Sequence, residues 1–256
     1  MEKRIADPRA EEILALLSVQ TAMRVDALSE RLHASPATIR RDLARLEAAG
    51  RVRRTHGGVI GLSVQTGEVP LDVRLGDRRT EKAVIGKLAA ELVSDGDTLF
   101  LDSSSTTLCM VRHLRRRSNL TVVTNGLRTA QELSRLGGVR VFCTGGQLRE
   151  QALSFAGPVA VDGLSRFRAT RCFLSCRTLD ATLGLSDTDV EEADLRRAMI
   201  ACSRETVVLA DHTKLDRLSP FAIAGWNQVT CLASDRGLDP LWQAALDAQS
   251  VRVLHP

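Results

Sequence analysis

The sequence predicts a small helical unit at the N-terminus, followed by a larger α/β domain whose sheet is largely parallel. Two observations support this prediction. Apolar residues recur at helical spacing in three segments before residue 50, and a β-hairpin pattern comes directly after them. From about residue 80 onward, short apolar strands alternate with amphipathic helices, as in a doubly wound sheet with helices on both faces.

The three N-terminal helices are predicted from apolar spacing and from end signals. Apolar side chains repeat on one face over residues 8–19 and again over residues 26–33. The third helix begins with Ser35 as its N-cap and Pro36 at its first position, two residue types that favour a helix start. It ends before Gly50, because glycine tolerates the left-handed conformation that often follows a helix.

A β-hairpin is predicted directly after the third helix. Residues 51–55 and 59–62 are strand-like, and the segment His56-Gly57-Gly58 between them suits a tight turn. Residues 36–58 hold six arginines against two acidic residues, which favours a polyanion as partner, although a solvated basic face is the alternative. Three helices and a hairpin within about 60 residues indicate a winged helix-turn-helix.

The second domain is predicted as an alternation of buried strands and helices. A linker is expected over residues 62–80, where Gly67, Pro70 and Gly76 interrupt any regular period. Strands are predicted at residues 98–101, 120–123, 139–143, 171–174, 206–210 and 230–233. Helices are predicted around residues 84–92, 108–114, 127–133 and 189–203.

Composition indicates a soluble globular protein, which we expect to be cytoplasmic. The 256-residue chain is 44% hydrophobic and 26% charged, as in ordinary globular domains. It has no apolar run near the ~20 residues that cross a bilayer, and no apolar signal segment follows Met1. Six cysteines are scattered through apolar segments, so we expect reduced thiols and predict neither a metal site nor a cofactor.

One face of the third helix has the composition of a DNA-reading surface. At about 100° per residue, Ile39, Leu43 and Leu46 form the buried stripe, with small residues and arginines opposite. Small residues let the backbone approach the major groove, while guanidinium groups reach base edges or phosphates. The alternative is a solvated helix in a protein-interaction module. The candidate DNA-binding residues are Ser35, Ala37, Thr38, Arg40, Arg41, Arg45, Arg53, Arg54 and His56.

A cluster of hydroxyl residues follows the first strand of the α/β domain. Asp102 comes at the end of this strand, and the five hydroxyl residues 103–107 lead into a helix. Hydroxyls and free amides at such a turn form a cradle for phosphate, and an ordinary N-cap turn is the alternative. Ligands of open α/β sheets bind at the carboxyl ends of the strands. Other polar residues expected at these ends are Asn125, Gly145, Asp211 and Lys214.

Residues 35–43 and 54–58 resemble the DNA-binding signature of the DeoR family of transcription regulators. The first segment reads Ser-Pro-Ala-Thr-Ile-Arg-Arg-Asp-Leu, and the second reads Arg-Thr-His-Gly-Gly. The resemblance implies a helix-turn-helix near residues 23–42, inside a DNA-binding domain at residues 6–61. It favours the DNA-reading interpretation of the third helix.

The rest of the chain is similar to the sensor domain of the same family. The likeness rests on Glu81-Lys82, Asp102 to Thr107, Thr124-Asn125, Gly145-Gly146, Gly184 to Asp187, Glu191-Glu192 and Leu209 to Lys214. It implies a fold like that of ribose-phosphate isomerases and CoA transferases over residues 81–256, with a phosphorylated sugar or sugar-derived metabolite as effector. The effector-binding residues it implies are Lys82, Asp102, Ser103, Ser104, Ser105, Thr106, Thr107, Asn125, Gly145, Asp211 and Lys214.

In the pattern of this family, the hydroxyl loop would hold the phosphate, and Lys82, Lys214 and the carboxylates would surround the sugar. Ser104 is a departure, because the family usually carries glycine at this position. We expect its Cβ to crowd the closest approach of the loop backbone to a phosphate.

These features predict a DNA-binding repressor of a carbohydrate catabolic operon, released from its operator by a phosphorylated sugar; an activator is also compatible with the residues. A homo-oligomer, a dimer or higher, is expected through the C-terminal domain, because one winged helix covers too little DNA for tight binding. The alternative is a sugar-phosphate isomerase that carries a DNA-binding module. Its base and lysine would come from Asp102, Asp211, Glu191, Glu192 and Lys214. The complete DNA-binding signature favours the regulator.

Overall fold

The computed structural model describes residues 8–19, 22–48, 52–55, 58–61 and 70–256. The chain divides into two units, residues 1–69 and residues 70–256. Hydrophobic clusters form separately within each of them, so each unit has a core of its own.

In its described residues, the first unit consists of three helices and a small antiparallel sheet. The elements in chain order are α1 (Pro8–Val19), β1 (Ala22–Arg24), α2 (Val25–Arg31), α3 (Pro36–Ala48), β2 (Val52–Thr55) and β3 (Gly58–Gly61). The sheet has the order β1-β3-β2, in which β2 and β3 are the predicted hairpin. Ile13, Leu28, Ile39 and Leu43 are fully buried and hold the three helices together. The predicted helical unit with its hairpin is thus confirmed.

The second unit contains the strands β4 (Thr98–Leu101), β5 (Leu120–Thr124), β6 (Val139–Cys143), β7 (Gln147–Arg149), β8 (Ser154–Ala156), β9 (Ala169–Leu174), β10 (Thr178–Asp180), β11 (Gly184–Asp187), β12 (Ser203–Leu209), β13 (Phe221–Ala224), β14 (Cys231–Ala233) and β15 (Arg252–Leu254). Its α-helices are α4 (Leu71–Gly76), α5 (Arg79–Glu91), α6 (Ser105–Val111), α7 (Leu127–Ser134), α8 (Pro158–Ser165), α9 (Val190–Ala201) and α10 (Pro240–Asp247).

Seven strands of residues 70–256 form one parallel sheet in the order β15-β14-β12-β9-β4-β5-β6. From β4 the chain winds outward through β5 to β6, returns to β9 beside β4, and then winds the other way. The winding direction therefore reverses between β4 and β9. In open α/β sheets, the crevice for a ligand lies at the carboxyl ends of the strands at this reversal.

Apolar side chains cover both faces of this sheet. Successive residues of β4 point to opposite faces, so that Phe100 packs in one cluster and Leu99 and Leu101 pack in the other. Residues of α8, α9 and α10 belong to the first cluster, and residues of α5, α6 and α7 belong to the second. The predicted doubly wound sheet, with helices on both faces, is confirmed.

Short antiparallel strands make up the remainder of the second unit. β7 pairs with β8, and β10, β11 and β13 form a separate sheet. These strands have three or four residues each, too few to show a sequence period, and no prediction covered them.

Residues 70–80 differ from the predicted linker, because they contain α4 and the first two residues of α5. Pro70 is the N-cap of α4 and Gly76 is its last residue, so these residues bound a short helix that their sequence does not reveal. Leu71 is buried, and its amide donates to the carbonyl of Gln151 at 2.9 Å. Residues 62–69 lie outside the described residues.

All six cysteines lie within residues 70–256, and each is a free thiol. Cys172, Cys176 and Cys231 are buried, as expected for core thiols, whereas Cys143 is exposed on the edge strand β6. Among the described residues, no helix combines the length and the apolar character needed to cross a bilayer.

Candidate DNA-binding helix and candidate effector site

The helix α3 buries one face and exposes the face that the sequence predicts. Ile39 and Leu43 are fully buried and Leu46 nearly so. The residues exposed to solvent are Ala37, Arg40, Arg41, Ala44 and Arg45, with Thr38 half-buried beside them. Small and cationic side chains thus lie on a surface that the core of the unit does not use.

The start of α3 is fixed by Ser35. The hydroxyl of Ser35 accepts the amide of Thr38 at 3.2 Å and lies 2.8 Å from the hydroxyl of Thr38. This is the N-cap arrangement expected from the sequence, and it satisfies one of the amides that a helix start leaves without a partner.

Asp42 is one of two acidic residues in helix α3, the other being Glu47, and it faces inward. Its carboxylate is buried and accepts from Nε of Arg9 on α1 at 2.6 Å. This ion pair joins α1 to α3, so the acidic charge is compensated inside the unit.

Two of the predicted wing residues, Arg53 and Arg54, belong to β2, where they are opposite Ile60 and Val59 of β3. His56 lies outside the described residues.

The candidate effector site lies where the winding of the large sheet reverses. The loop that follows β4 starts with Asp102, and the loop that follows β9 starts with Ser175. The amide of Ser175 donates to Oδ2 of Asp102 at 3.0 Å, which joins the two loops. The predicted residues Asp102 and Lys214 are brought together through Ser175, which the sequence analysis did not select.

The hydroxyl loop after β4, residues 102–107, is buried and held by its own hydrogen bonds. Oδ1 of Asp102 accepts the amide of Ser104 at 3.0 Å. The hydroxyl of Ser104 accepts the amide of Thr107 at 3.1 Å and donates to the hydroxyl of Thr107 at 2.8 Å. Ser104 is therefore the N-cap of α6, so part of this loop is the ordinary capping turn that was the alternative interpretation.

Ser104 adopts φ −71° and ψ 149°, an extended conformation open to any residue. The backbone here does not require the glycine that the resemblance leads one to expect. The serine hydroxyl supplies the cap that a glycine would lack.

A buried arginine connects the loop after β4 with α9 and β11. Nε of Arg196 lies 3.1 Å from Oδ2 of Asp102, and its terminal nitrogens lie 3.1 Å from Asp187 and 3.2 Å from Glu192. All four side chains are largely or fully buried. Glu192 also accepts from the hydroxyl of Ser154 at 2.8 Å, so the cluster extends to β8.

Asp102 is a charged group inside this cluster. Burial acts to raise the pKa of its carboxyl, but the Arg196 guanidinium and the hydrogen bonds from Ser104 and Ser175 hold the pKa below its usual value. Both of its oxygens already accept from protein groups. Asp102 therefore positions the loop, rather than offering a free carboxylate to sugar hydroxyls as the sequence suggested.

Lys214 and Ser175 meet at the carboxyl end of β12. Nζ of Lys214 donates to the hydroxyl of Ser175 and to the carbonyl of Cys176, both at 2.7 Å. The hydroxyl of Ser175 in turn donates to the carbonyl of Leu209 at 2.6 Å. These bonds hold the ammonium of Lys214 at the edge of the sheet.

Lys82, on α5, is the second cation of the site. Its buried ammonium donates to the carbonyl of Asp77 at 2.8 Å and to the carbonyl of Arg74. Burial lowers the pKa of Lys82, and the positive charge of Lys214 lowers it further, against the nearby carboxylates of Asp77 and Asp211. Two lysines thus lie close enough to repel each other, an arrangement that an anion would stabilise.

Asp211 faces both lysines. Burial acts to raise the pKa of its carboxyl, but Lys214, the hydrogen bonds from Thr213 and then Lys82 hold the pKa below its usual value. Its Oδ1 accepts the amide of Thr213 at 3.1 Å. Asp211 therefore interacts with both ammonium groups, whereas Asp77 is a second carboxylate near Lys82.

Asn125 contributes a buried amide after β5. Its Nδ2 lies 3.3 Å from the carbonyl of Phe155 and 3.4 Å from the hydroxyl of Ser103. A carbonyl can only accept, so the nitrogen must face Phe155. Oδ1 of Asn125 is then a buried acceptor with no hydrogen-bond partner among the described residues.

Gly145 is the predicted site residue that stands apart from the others. It follows the edge strand β6 with φ +71°, a conformation that favours glycine. The hydroxyl of Thr144 donates to its carbonyl at 3.1 Å. Among the described residues, no hydrogen bond joins Gly145 to the loop after β4 or to the two lysines.

Ser175 and Arg196 are the residues of this region that the sequence did not indicate. Asp187 and Glu192 lie in segments that resemble the family, but neither was among the predicted effector-binding residues. Ser175 follows a predicted strand directly, as Asp102 does, so its position could have been noticed. Arg196 gives no such signal, because it lies in the middle of α9 and its partner Asp102 is 94 residues away.

Two family profiles match this chain. One, described as a DeoR-like helix-turn-helix domain, matches residues 9–65, and the other, described as a DeoR C terminal sensor domain, matches residues 77–236. The uncharacterized HTH-type transcriptional regulator YulB of Bacillus subtilis is 36% identical over 96% of this chain and 95% of its own length. The transcriptional repressor AccR of Agrobacterium fabrum is 35% identical over 90% of this chain and 89% of its own length.

Among solved structures, ribose 5-phosphate isomerase A from Methanocaldococcus jannaschii is similar to this chain. The similarity covers 54% of this chain and 55% of the isomerase chain. The sequence identity is 16% and the TM-score is 0.41.

Proposed function

The chain belongs to the DeoR family of transcriptional regulators, and on that premise we propose that it represses a carbohydrate catabolic operon. In this proposal, a phosphorylated sugar or sugar-derived metabolite binds the second unit and releases the first unit from its operator. We assign DNA binding to residues 6–61 and effector binding to residues 81–256. The pair of lysines beside the buried loop after β4 is the observation that carries the effector assignment.

The lysine pair has unused hydrogen-bonding capacity. An ammonium group has three donors, and Lys82 and Lys214 each use two of them on protein oxygens. Each lysine therefore keeps one donor without a partner among the described residues. A phosphate can accept from two such donors at once.

A buried acceptor near the loop after β4 suits the polyol part of the same ligand. Oδ1 of Asn125 is buried without a donor, and a buried acceptor of this kind costs free energy until a donor reaches it. A sugar hydroxyl is a donor of the required type. A ligand with a phosphate at one end and hydroxyls at the other fits this distribution of groups.

Sensing is favoured over isomerase catalysis by the state of the carboxylates. A general base works best with a pKa near the operating pH. The pKa values of Asp102 and Asp211 are both lowered below the usual range, by Arg196 in one case and by the lysines in the other. Such carboxylates are weak bases. The regulator is therefore proposed as non-enzymatic, and as a homo-oligomer that pairs two winged helices across an operator.

A screen of phosphorylated sugars tests the effector assignment. A ligand that binds only the folded chain raises its melting temperature, by an amount that grows with ligand concentration relative to Kd. We expect stabilisation by at least one sugar phosphate and none by the matching unphosphorylated sugar. Equal stabilisation by both would remove the phosphate from the proposal.

Arg41→Ala is expected to weaken operator binding by about 1–3 kcal/mol, which is the value of a good base contact. Arg41 is exposed on α3, opposite the buried stripe, so the substitution leaves the core unchanged. The operator is first selected from random duplexes with the wild-type chain, and affinities are then compared by gel-shift titration at fixed salt.

Arg204→Ala is the matched control for this titration, since Arg204 is exposed on β12 in the other unit. Arg41→Lys separates two kinds of contact: lysine preserves a phosphate contact but not a bidentate contact to a base. Unchanged affinity of Arg41→Ala would remove Arg41 from the DNA interface.

Effector affinity is expected to fall at alkaline pH, below the ordinary lysine pKa of about 10.4. Burial and the charge of Lys214 lower the pKa of Lys82, so Lys82 loses its proton below the ordinary lysine value of about 10.4. A phosphate prefers the charged form, and binding therefore weakens through this range. Calorimetric titration of the best sugar phosphate from the screen, at constant ionic strength, measures the effect. In Lys82→Met we expect weaker binding with a flatter pH profile, and an identical profile would contradict the assignment.

A further inference from the structure

A basic cleft lies in the second unit, away from the lysine pair. Its volume is about 620 Å³. Lys87 of α5 contributes to it, together with the 3₁₀ helix that follows α6 at Arg112–Arg116. The basic residues that line the cleft are Lys87, Arg112, His113, Arg115, Arg116 and Arg117.

The cleft is at the opposite edge of the sheet from the candidate effector site. The 3₁₀ helix ends shortly before Leu120, where β5 begins, so it lies at the amino ends of the strands. Lys214 and Asp102 follow the carboxyl ends of β12 and β4. The basic cleft is therefore separate from the site described above.

Most charges of this cleft are not compensated within the protein. Lys87, Arg112, Arg115 and Arg116 are exposed, and within residues 70–256 none of them forms an ion pair with a carboxylate. The acidic side chain in the lining is Glu91. Like charges held together this closely repel one another, so the cluster does not serve the stability of the fold.

Two further titratable side chains, His113 and Asp95, indicate the sign of the local electrostatic field. Burial lowers the pKa of His113, and the charges of Arg112, Lys87 and Arg116 lower it further. Asp95, which is exposed nearby, has its pKa lowered by hydrogen bonds from Ser118 and, to a smaller extent, by Arg117. The field in the cleft is therefore positive even with Glu91 and Asp95 included.

The exposure of these side chains decides the kind of anion that fits. An exposed ion pair contributes little by itself, about 0–1 kcal/mol, so one small anion would be held weakly here. A polymer with regularly spaced charges makes several such contacts at once and releases its condensed counterions. DNA has this chemistry, and it is the ligand already assigned to the first unit.

We propose that the basic cleft of Lys87 and residues 112–117 binds the phosphodiester backbone of DNA, as a contact separate from α3. The inference rests on the proposed function, because it takes DNA as the ligand of the full chain. In this proposal, the second unit contributes DNA affinity that does not depend on sequence, whereas the winged helix recognises the base sequence.

The test is the salt dependence of DNA binding by the full chain and by the double variant Arg115→Ala/Arg116→Ala. A mixed-sequence duplex is titrated at several salt concentrations. Each lost phosphate contact lowers the slope of log K against log salt by about 0.9, so the double variant should lose about 1.8. Its affinity should fall alike for all sequences, and its melting temperature should equal or exceed that of the wild type.

The control is Arg204→Ala/Arg236→Ala, which removes the same charge from two other exposed positions of the second unit. It should keep the wild-type slope. If both double variants lose the same slope, net charge explains the effect and the proposal is overturned. It is also overturned if Arg115→Ala/Arg116→Ala keeps the wild-type slope while the wild type binds the duplex.

If the proposed function itself is wrong, the result is different: the wild type binds no duplex, and Arg41→Ala therefore has no measurable effect. Tripolyphosphate alone serves as the small-anion probe. Stoichiometric binding of tripolyphosphate that the double variant abolishes, with DNA affinity unchanged, would make the cleft a small-anion site and overturn the proposal.

Discussion

Arg196→Met is expected to lower the free energy of unfolding by about 3–5 kcal/mol, the cost of breaking a buried ion pair from one side. Methionine preserves much of the length of arginine but leaves Asp102, Asp187 and Glu192 without their shared cation. These carboxylates are largely or fully buried, so water does not replace the lost guanidinium. Urea unfolding followed by circular dichroism measures the difference.

Arg197→Met is the matched control, since Arg197 is the next residue along α9 but is exposed and pairs with the exposed Asp194. An exposed pair contributes at most about 1 kcal/mol, so this variant should remain close to wild type. Equal stability of the two variants would contradict the role given to Arg196.

The sign of the pH dependence gives a second measurement on Arg196→Met. Without the guanidinium, burial raises the pKa of the Asp102 carboxyl, which takes up a proton as the pH falls. The stability deficit should therefore shrink at acidic pH. Asp187→Asn with Glu192→Gln, added to Arg196→Met, should recover stability at neutral pH, because it removes two of the buried negative charges that lost their cation.

Lys214→Met is expected to raise the effector concentration needed for half-release of DNA by roughly 10- to 150-fold, the equivalent of one charged hydrogen bond. An effector shifts the DNA-binding equilibrium only through its difference in affinity for the two states, and the phosphate contributes most of its interaction energy. Operator affinity without effector should equal that of the wild type. The measurement is a gel-shift titration with the sugar phosphate found in the thermal screen.

Arg236→Met removes an exposed cation from the same unit and should respond to effector as the wild type does. Thr106→Ala tests the loop after β4 in the same assay, since Thr106 is fully buried in it. If Lys214→Met and Thr106→Ala are both still released from DNA at the wild-type effector concentration, the phosphate binds elsewhere.

The strands that form the effector edge could be predicted because parallel strands are buried on both faces and leave continuous apolar runs. The predicted strands at residues 98–101 and 139–143 have the observed bounds. The polar residues that come directly after each predicted strand could then be placed at its carboxyl end. β10, β11 and β13 escaped prediction because three or four residues show no period.

The roles of individual residues were harder to predict than their positions. Asp102 was expected to meet a sugar, but its partner Arg196 comes from a helix much later in the chain, and a contact of this range has no local pattern. The departure from glycine at Ser104 pointed to a crowded phosphate approach, which stays a prediction, but the extended φ and ψ of Ser104 and its role as N-cap could not be read from its residue type. In both cases, the tertiary structure set the backbone and the partners.

The internal hydrogen bonds of the loop after β4 have a consequence for the thermodynamics of binding. Because Asp102, Ser104, Thr107 and Ser175 already hold one another, the loop is preorganised and a ligand does not have to freeze it. The entropic penalty of association is then confined to the ligand and to a few side chains. Loop ordering should therefore contribute little to the binding enthalpy and heat capacity, both of which calorimetry measures directly.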